Sequence, residues 1–200
     1  MKILMVADEP CKALWDYYDG ERLKGIDLIL SAGDLPPQYL SFLVTFSNCP
    51  LLYVHGNHDG VYARKNPDGC IDIDGKVYRF GGIRIFGLGG SMAYNEGPHQ
   101  YTERQMASRV WKSRLSLIRS HGFDILLTHA PIRGVNDQDD LPHMGFQVFD
   151  ALLDRYRPRY MVHGHVHMNY AYNVPRTIIR HDTTVINAYE RYLLDYQEEK

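Results

Sequence analysis

The stretch Leu51-Leu52-Tyr53-Val54-His55-Gly56-Asn57-His58-Asp59-Gly60 carries an apolar run straight into a turn crowded with polar side chains. Four apolar residues in a row suit a short strand buried on both faces, and Gly56 and Gly60 bracket the turn that ends it. The same arrangement occurs twice upstream. Ile26 to Leu30 reads as a strand ending at Ser31-Ala32-Gly33-Asp34, and Lys2 to Ala7 as a strand ending at Asp8. Between them, Ala13, Leu14, Tyr17 and Tyr18 have helical spacing up to a break near Asp19-Gly20. Pro36-Pro37 opens a second helix through about Phe46, since proline is tolerated in a first turn. Strand, helix, strand, helix, strand argues for a parallel sheet with crossover helices.

Downstream the texture changes. Ile71 to Lys76 reads as a strand running into a turn, and Val77 to Phe80 with Ile83 to Leu88 as antiparallel strands. Thr102 and Gln105 form a capping-box pattern opening a long helix. Its interior would hold Met106, Val110, Trp111, Leu115 and Ile118, with Gly122 as the stop. Ile125 to Leu127 leads to Thr128-His129, Phe146 to Tyr156 is helical, and Tyr160 to Val162 leads to His163-Gly164-His165. Short strands follow around Tyr170, Ile178 and Val185. No repeat or linker interrupts the chain, so residues 1–200 read as a single domain. The amphipathic helices each need a sheet to cover, and the apolar strands need burial on both faces. The expected fold is α/β: a four-layer α-β-β-α sandwich with two mixed sheets.

The 200 residues are 44% hydrophobic and 23% charged, as in ordinary globular chains, which excludes disorder as the main state. Lys and Arg number 22 against 24 Asp and Glu, a net charge of -2, so the basic footprint of a nucleic-acid binder is missing. No apolar run approaches the ~18 residues needed to span a bilayer, and the opening run is too short for a signal peptide before it meets Asp8. Cys11, Cys49 and Cys70 are odd in number and widely spaced, giving neither a zinc pattern nor a disulfide framework. These features point to the cytoplasm, with no membrane partner. No pattern in the chain encodes an oligomeric state.

Asp8, Asp34, Asn57, His129 and the pair His165 and His167 each follow an expected strand. Loops at the carboxyl ends of strands in open α/β sheets converge on one crevice. The spacings of 26 and 23 residues between Asp8, Asp34 and Asn57 each fit one helical crossover. Carboxylates, an amide oxygen and imidazoles delivered to one place suit divalent ions such as Mn²⁺, Fe²⁺ or Zn²⁺, and the lack of thiolates argues against a structural zinc site.

In order, Asp8, Gly33-Asp34, Gly56-Asn57-His58-Asp59, His129 and Gly164-His165-Val166-His167 resemble the calcineurin-like metallophosphoesterases, over about residues 3 to 187. The resemblance implies a metal site at the carboxyl ends of the strands. Asp34 would bridge two divalent ions, with Mn²⁺ the first choice and Fe²⁺ or Zn²⁺ the alternatives. Asn57, His129 and His165 would complete one ion's shell, and Asp8 and His167 would serve the other. Two cations about 3.5–4 Å apart activate a water and neutralise phosphate oxygens together. His58 would be the acid for the leaving oxygen, and Asp59 would hold its other ring nitrogen. The implied activity is hydrolysis of a small phosphoester, with a lean toward diesters. His143, on the loop Asp140 to Gly145, is a substrate-contact candidate, because some members carry a histidine on a similar loop. His55 and His163 read as structural residues, and Asn136 and Asp137 as turn residues.

One position departs from the pattern. The family opens with Asp-x-His, and this chain has Asp8-Glu9-Pro10. Proline cannot ligate, so the first ion loses an imidazole and its site should be weak. On an extended segment Glu9 and Cys11 would point away from Asp8, leaving water as the replacement. Two further readings stay open: a protein-interaction scaffold with a degraded metal site, favoured by Pro10 and disfavoured by intact Asn57-His58-Asp59, and a nuclease of the same superfamily.

Overall fold

A computed structural model describes residues 1–169 and 175–197. The first half places β1 (Lys2–Val6), β2 (Leu28–Ser31), α1 (Pro37–Ser47), β3 (Leu51–Tyr53) and β4 (Ile71–Asp72) in chain order. There follow β5 (Val77–Phe80), β6 (Ile83–Leu88), β7 (Ser91–Met92), β8 (Gln100–Tyr101), α2 (Glu103–Lys112) and α3 (Arg114–Ser120). The chain continues through β9 (Ile125–Thr128), α4 (Gln147–Tyr156), β10 (Tyr160–His163), β11 (Thr177–Arg180), β12 (Thr183–Asn187) and β13 (Tyr192–Asp195). The strand expected around Tyr170 falls outside the described residues.

One sheet has the order β13-β1-β2-β3-β4, parallel except for β13 at its edge. The other has the order β11-β12-β10-β9-β6-β5, with a parallel centre and antiparallel edges. The sheets face each other across Ile3, Met5, Leu28, Leu30 and Leu52 on one side and Ile85, Ile125, Leu127, Val162 and Ile186 on the other. Strands covered on both faces have no place for alternation, which is why their sequences are nearly continuous apolar runs. Each such side chain, fully buried, contributes about 1.5–3 kcal/mol. The first sheet's outer face packs Leu4, Val6, Ile29 and Leu51 under α1. The second's packs Phe86, Leu126 and Met161 under α2, α3 and α4. This is the α-β-β-α sandwich with two mixed sheets.

Two local expectations differ. Residues 12–17 form consecutive turns where a helix was expected. Pro10 and Gly20 leave room for few helical turns, and the aromatic side chains there pack instead on α1, Trp15 stacking on Tyr39 at 5.0 Å and Tyr18 meeting Phe42 edge-on at 5.2 Å. The long helix after Thr102 has its capping box but breaks at Ser113. The Ser113 hydroxyl donates to the Gly75 and Arg109 carbonyls and draws the chain toward the sheet. Met106 and Leu117 then face the core, while Trp111, Leu115 and Ile118 are 62%, 61% and 65% exposed. Among the described residues no helix is long and apolar enough to cross a membrane.

Candidate metal centre

Asp8, Asp34, His129 and His165 stand just past the carboxyl ends of β1, β2, β9 and β10, and Asn57 follows β3. Three of them bend the chain into the left-handed region, with φ of 67° at Asp8, 58° at Asp34 and 70° at His165. Backbone strain of this kind is held only where the surroundings over-determine it. The glycines in the motifs make room for these turns. A Cβ on Gly56 would lie 2.0 Å from Asp34 Oδ1, and one on Gly164 would lie 2.9 Å from Asp8 Oδ2.

Four side chains meet at His129 Nε2. Asn57 Oδ1 is 3.0 Å from it, His165 Nδ1 3.0 Å and Asp34 Oδ2 3.2 Å. Each is oriented from behind. His129 Nδ1–H donates to the Ala32 carbonyl at 2.7 Å, and His165 Nε2–H donates to the Pro142 carbonyl at 2.6 Å. Those bonds leave the other nitrogen of each ring, Nε2 of His129 and Nδ1 of His165, aimed inward. Asn57 Nδ2 donates to the Tyr94 hydroxyl at 3.1 Å, which turns Oδ1 inward as well. Four acceptor atoms facing one another repel unless a proton or cation lies between them. Asp34, His129 and His165 offer ligand atoms that all lie within 4.8 Å of one another. The oxygen and nitrogen donors fit a divalent ion.

The sequence model of the calcineurin-like phosphoesterase family matches residues 4–169. The chain belongs to that family. Comparison with curated proteins found no match. Among solved structures, one crystal structure is 13% identical with a TM-score of 0.67, covering 96% of this chain and 94% of its own. Another, TT1561 of Thermus thermophilus, is 15% identical with a TM-score of 0.62, covering 94% and 89%. At such identities the likeness is one of fold. Membership brings metal-dependent phosphoester hydrolysis as the general chemistry, and the Asp34, His129 and His165 cluster is where this phosphoesterase could hold an ion.

The remaining candidates fall into place unevenly. Asp8 Oδ1 accepts from the His165 N–H at 2.9 Å, and its Oδ2 is buried with no hydrogen-bond partner among the described residues. A buried orphaned carboxylate oxygen is costly and fits a ligand awaiting a cation. His167 does not join the four-atom cluster. Its Nδ1 lies 3.6 Å from Glu9 Oε1, and its ring packs on Tyr189 with centroids 4.9 Å apart. That pairing corrects the expectation that Glu9 points away. Asp8 at φ 67° and the Glu9 N–H bonded back to the Ala7 carbonyl at 2.7 Å make a tight turn, so alternation does not apply.

His58 is exposed at the mouth of the site, and its backbone N–H donates to Asp34 Oδ1 at 2.7 Å. Asp59 does not hold the His58 ring. Its carboxylate is buried and accepts from the Gly56 and Asp34 N–H groups at 2.7 and 2.9 Å, stitching the β2 and β3 loops together. The turn satisfies Asp59 through backbone donors from two loops. His143 reaches the rim, its ring 5.4 Å from that of His165 and its Nδ1 held by Asp140 at 2.7 Å. His163 is fully buried and structural, and burial lowers it to about 4.

Charge follows this packing. Burial, opposed in part by His129, pushes Asp8 up to about 7. Burial and the neighbouring Asp34 charge push Asp59 up to about 6. Against burial, Asp34 holds the proton of His129 up to about 9, and His129 in turn holds Asp34 low. Burial and the His129 charge push His165 down. The centre thus favours positive charge at one point. Sequence reading missed Tyr94, the Ala32 and Pro142 carbonyls and the position of Glu9. None of these carries a motif; only the fold brings them to the site.

Proposed function

We propose that this phosphoesterase is a phosphodiesterase acting on a small substrate, with Mn²⁺ as its ion and residues 1–200 as one catalytic domain. The observation that carries the reading is the convergence of Asp34, Asn57, His129 and His165 on one point with every donor oriented from behind. In this reading those four hold one ion, while Asp8, Asp34 and His167 serve a second. Bound divalent ions supply charge for the phosphate oxygens and acidify water. The side chains do the rest. His58, exposed at the mouth, carries a proton on its imidazole to the leaving oxygen. His143, steadied by Asp140, donates a hydrogen bond to a phosphate oxygen. Asp59 keeps the two ligand loops in register. Among the described residues, the side chains gathered here include no Lys or Arg to pair with the second charge of a monoester dianion, which favours a diester. The three free cysteines suit a reducing compartment, so we place the protein in the cytoplasm.

The test is hydrolysis of a chromogenic phosphodiester and the matching monoester with Mn²⁺, in the wild type and in His58→Ala. The expected result is faster cleavage of the diester and a large loss in the variant. No cleavage of either ester under any divalent ion would instead favour the scaffold reading that Pro10 raises.

A further inference from the structure

The first ion's surroundings contain a residue that the family pattern does not use. Glu9 leaves β1 through the tight turn at Asp8 and brings Oε1 to 3.6 Å from His167 Nδ1. With bonds of ~2.0–2.2 Å and near-tetrahedral or octahedral angles, two ligand atoms on one ion lie roughly 3–3.6 Å apart. The Glu9–His167 separation is at that spacing. Tyr189 backs the pair. Its ring packs against His167, its backbone bridges to Ala7 beside Asp8, and its phenol interacts with the Glu9 carboxylate. Ligand carboxylates typically have such an outer partner holding them. In the same turn, one residue before Glu9, Asp8 Oδ2 is buried without a hydrogen-bond partner among the described residues. Pro10, where the family has its imidazole, offers no donor.

We propose that Glu9 supplies the ligand that Pro10 cannot, so that the first ion is held by Asp8, Glu9, Asp34 and His167. This rests on the two-ion reading above. Two chemical consequences follow. A carboxylate in place of an imidazole makes the site harder, favouring Mn²⁺ over Zn²⁺. It also removes one unit of net positive charge, which suits a singly charged diester over a doubly charged monoester.

The test counts ions directly, by Mn²⁺ titration followed by EPR and calorimetry on the wild type, Glu9→Gln, and Glu9→Gln combined with Pro10→His. Glu9 is half-exposed, so the substitution leaves the fold intact, which circular dichroism checks. The wild type is expected to bind one ion tightly and a second more weakly. Glu9→Gln should weaken the second by at least ~10-fold and leave the first within about twofold, in keeping with the cost of disturbing a ligand set. Adding Pro10→His should restore the second site and shift its preference toward Zn²⁺. If wild type and Glu9→Gln bind two ions equally, Glu9 is a surface partner of His167 and the proposal is wrong while the two-ion reading stands. If the wild type binds one ion and Glu9→Gln changes nothing, both fall together.

Discussion

On one side of Asp34, the Asn57, His129 and His165 side chains reach a common point, each steadied by Tyr94, the Ala32 carbonyl or the Pro142 carbonyl. On the other side, Asp8 keeps an unpartnered oxygen, and His167 lies against Glu9 and Tyr189 with 31% of its side chain exposed. The first half is buried, and its donor atoms already face one another. The second is more open, and in the two-ion reading its ligands would be drawn together on binding. Preorganised donors lose little freedom on binding, whereas donors that must be ordered give part of the binding energy back. In the two-ion reading proposed above, one fold would present two sites of unequal affinity around a shared carboxylate.

The largest effect that would break this contrast is removal of a tight-half ligand. His129→Ala should weaken the tighter ion by more than about 100-fold, since loss of mere outer support already costs ~10–100-fold. Elemental analysis after dialysis reads it, and retention of a full equivalent of metal would contradict the account. Next, His58→Ala should cut the rate about 10²–10⁴-fold with metal content unchanged, as for a lost general acid. A parallel loss of metal would show that His58 is structural. Tyr94→Phe removes the group that turns Asn57 inward, so the tighter ion should weaken ~10-fold while the weaker one is unaffected. The smallest change is expected from Pro10→His, which should lower the Mn²⁺ concentration for half-maximal rate by a few-fold, up to ~10-fold.

Acidity sharpens the same contrast. Asp8 holds its proton up to about 7 and His129 up to about 9, and both must release it to ligate. Apparent metal affinity should therefore rise with pH from about 6 to about 9. Calorimetry in buffers of different ionisation enthalpy counts the protons released, and a pH-independent affinity would contradict these assignments.

The layers and the Asp34, His129 and His165 cluster are legible in the sequence. Continuous apolar runs marked the strands, and the polar residues just past their ends marked the site, because parallel strands deliver their carboxyl ends to one edge. Pro36-Pro37 and the Thr102–Gln105 box located two helix starts. What escaped depends on tertiary choices. The turns over 12–17 replaced a helix because Trp15 and Tyr18 found aromatic partners on α1. Alternation misplaced Glu9 because a left-handed Asp8 breaks the extended geometry that alternation assumes. The resemblance implies that Asp59 holds the His58 ring, yet two backbone N–H groups from separate loops claim it. Tyr94 lies on a loop without periodicity or motif, and only the fold shows that its hydroxyl meets Asn57.

The unequal pair of ions is tested most directly by following Mn²⁺ occupancy by EPR and diester hydrolysis in the same samples through one titration. The account predicts two separated binding steps, with the rate rising on the second. A rate that saturates with the first ion, unchanged by further Mn²⁺, would contradict it and leave the Asp34, Asn57, His129 and His165 site acting alone.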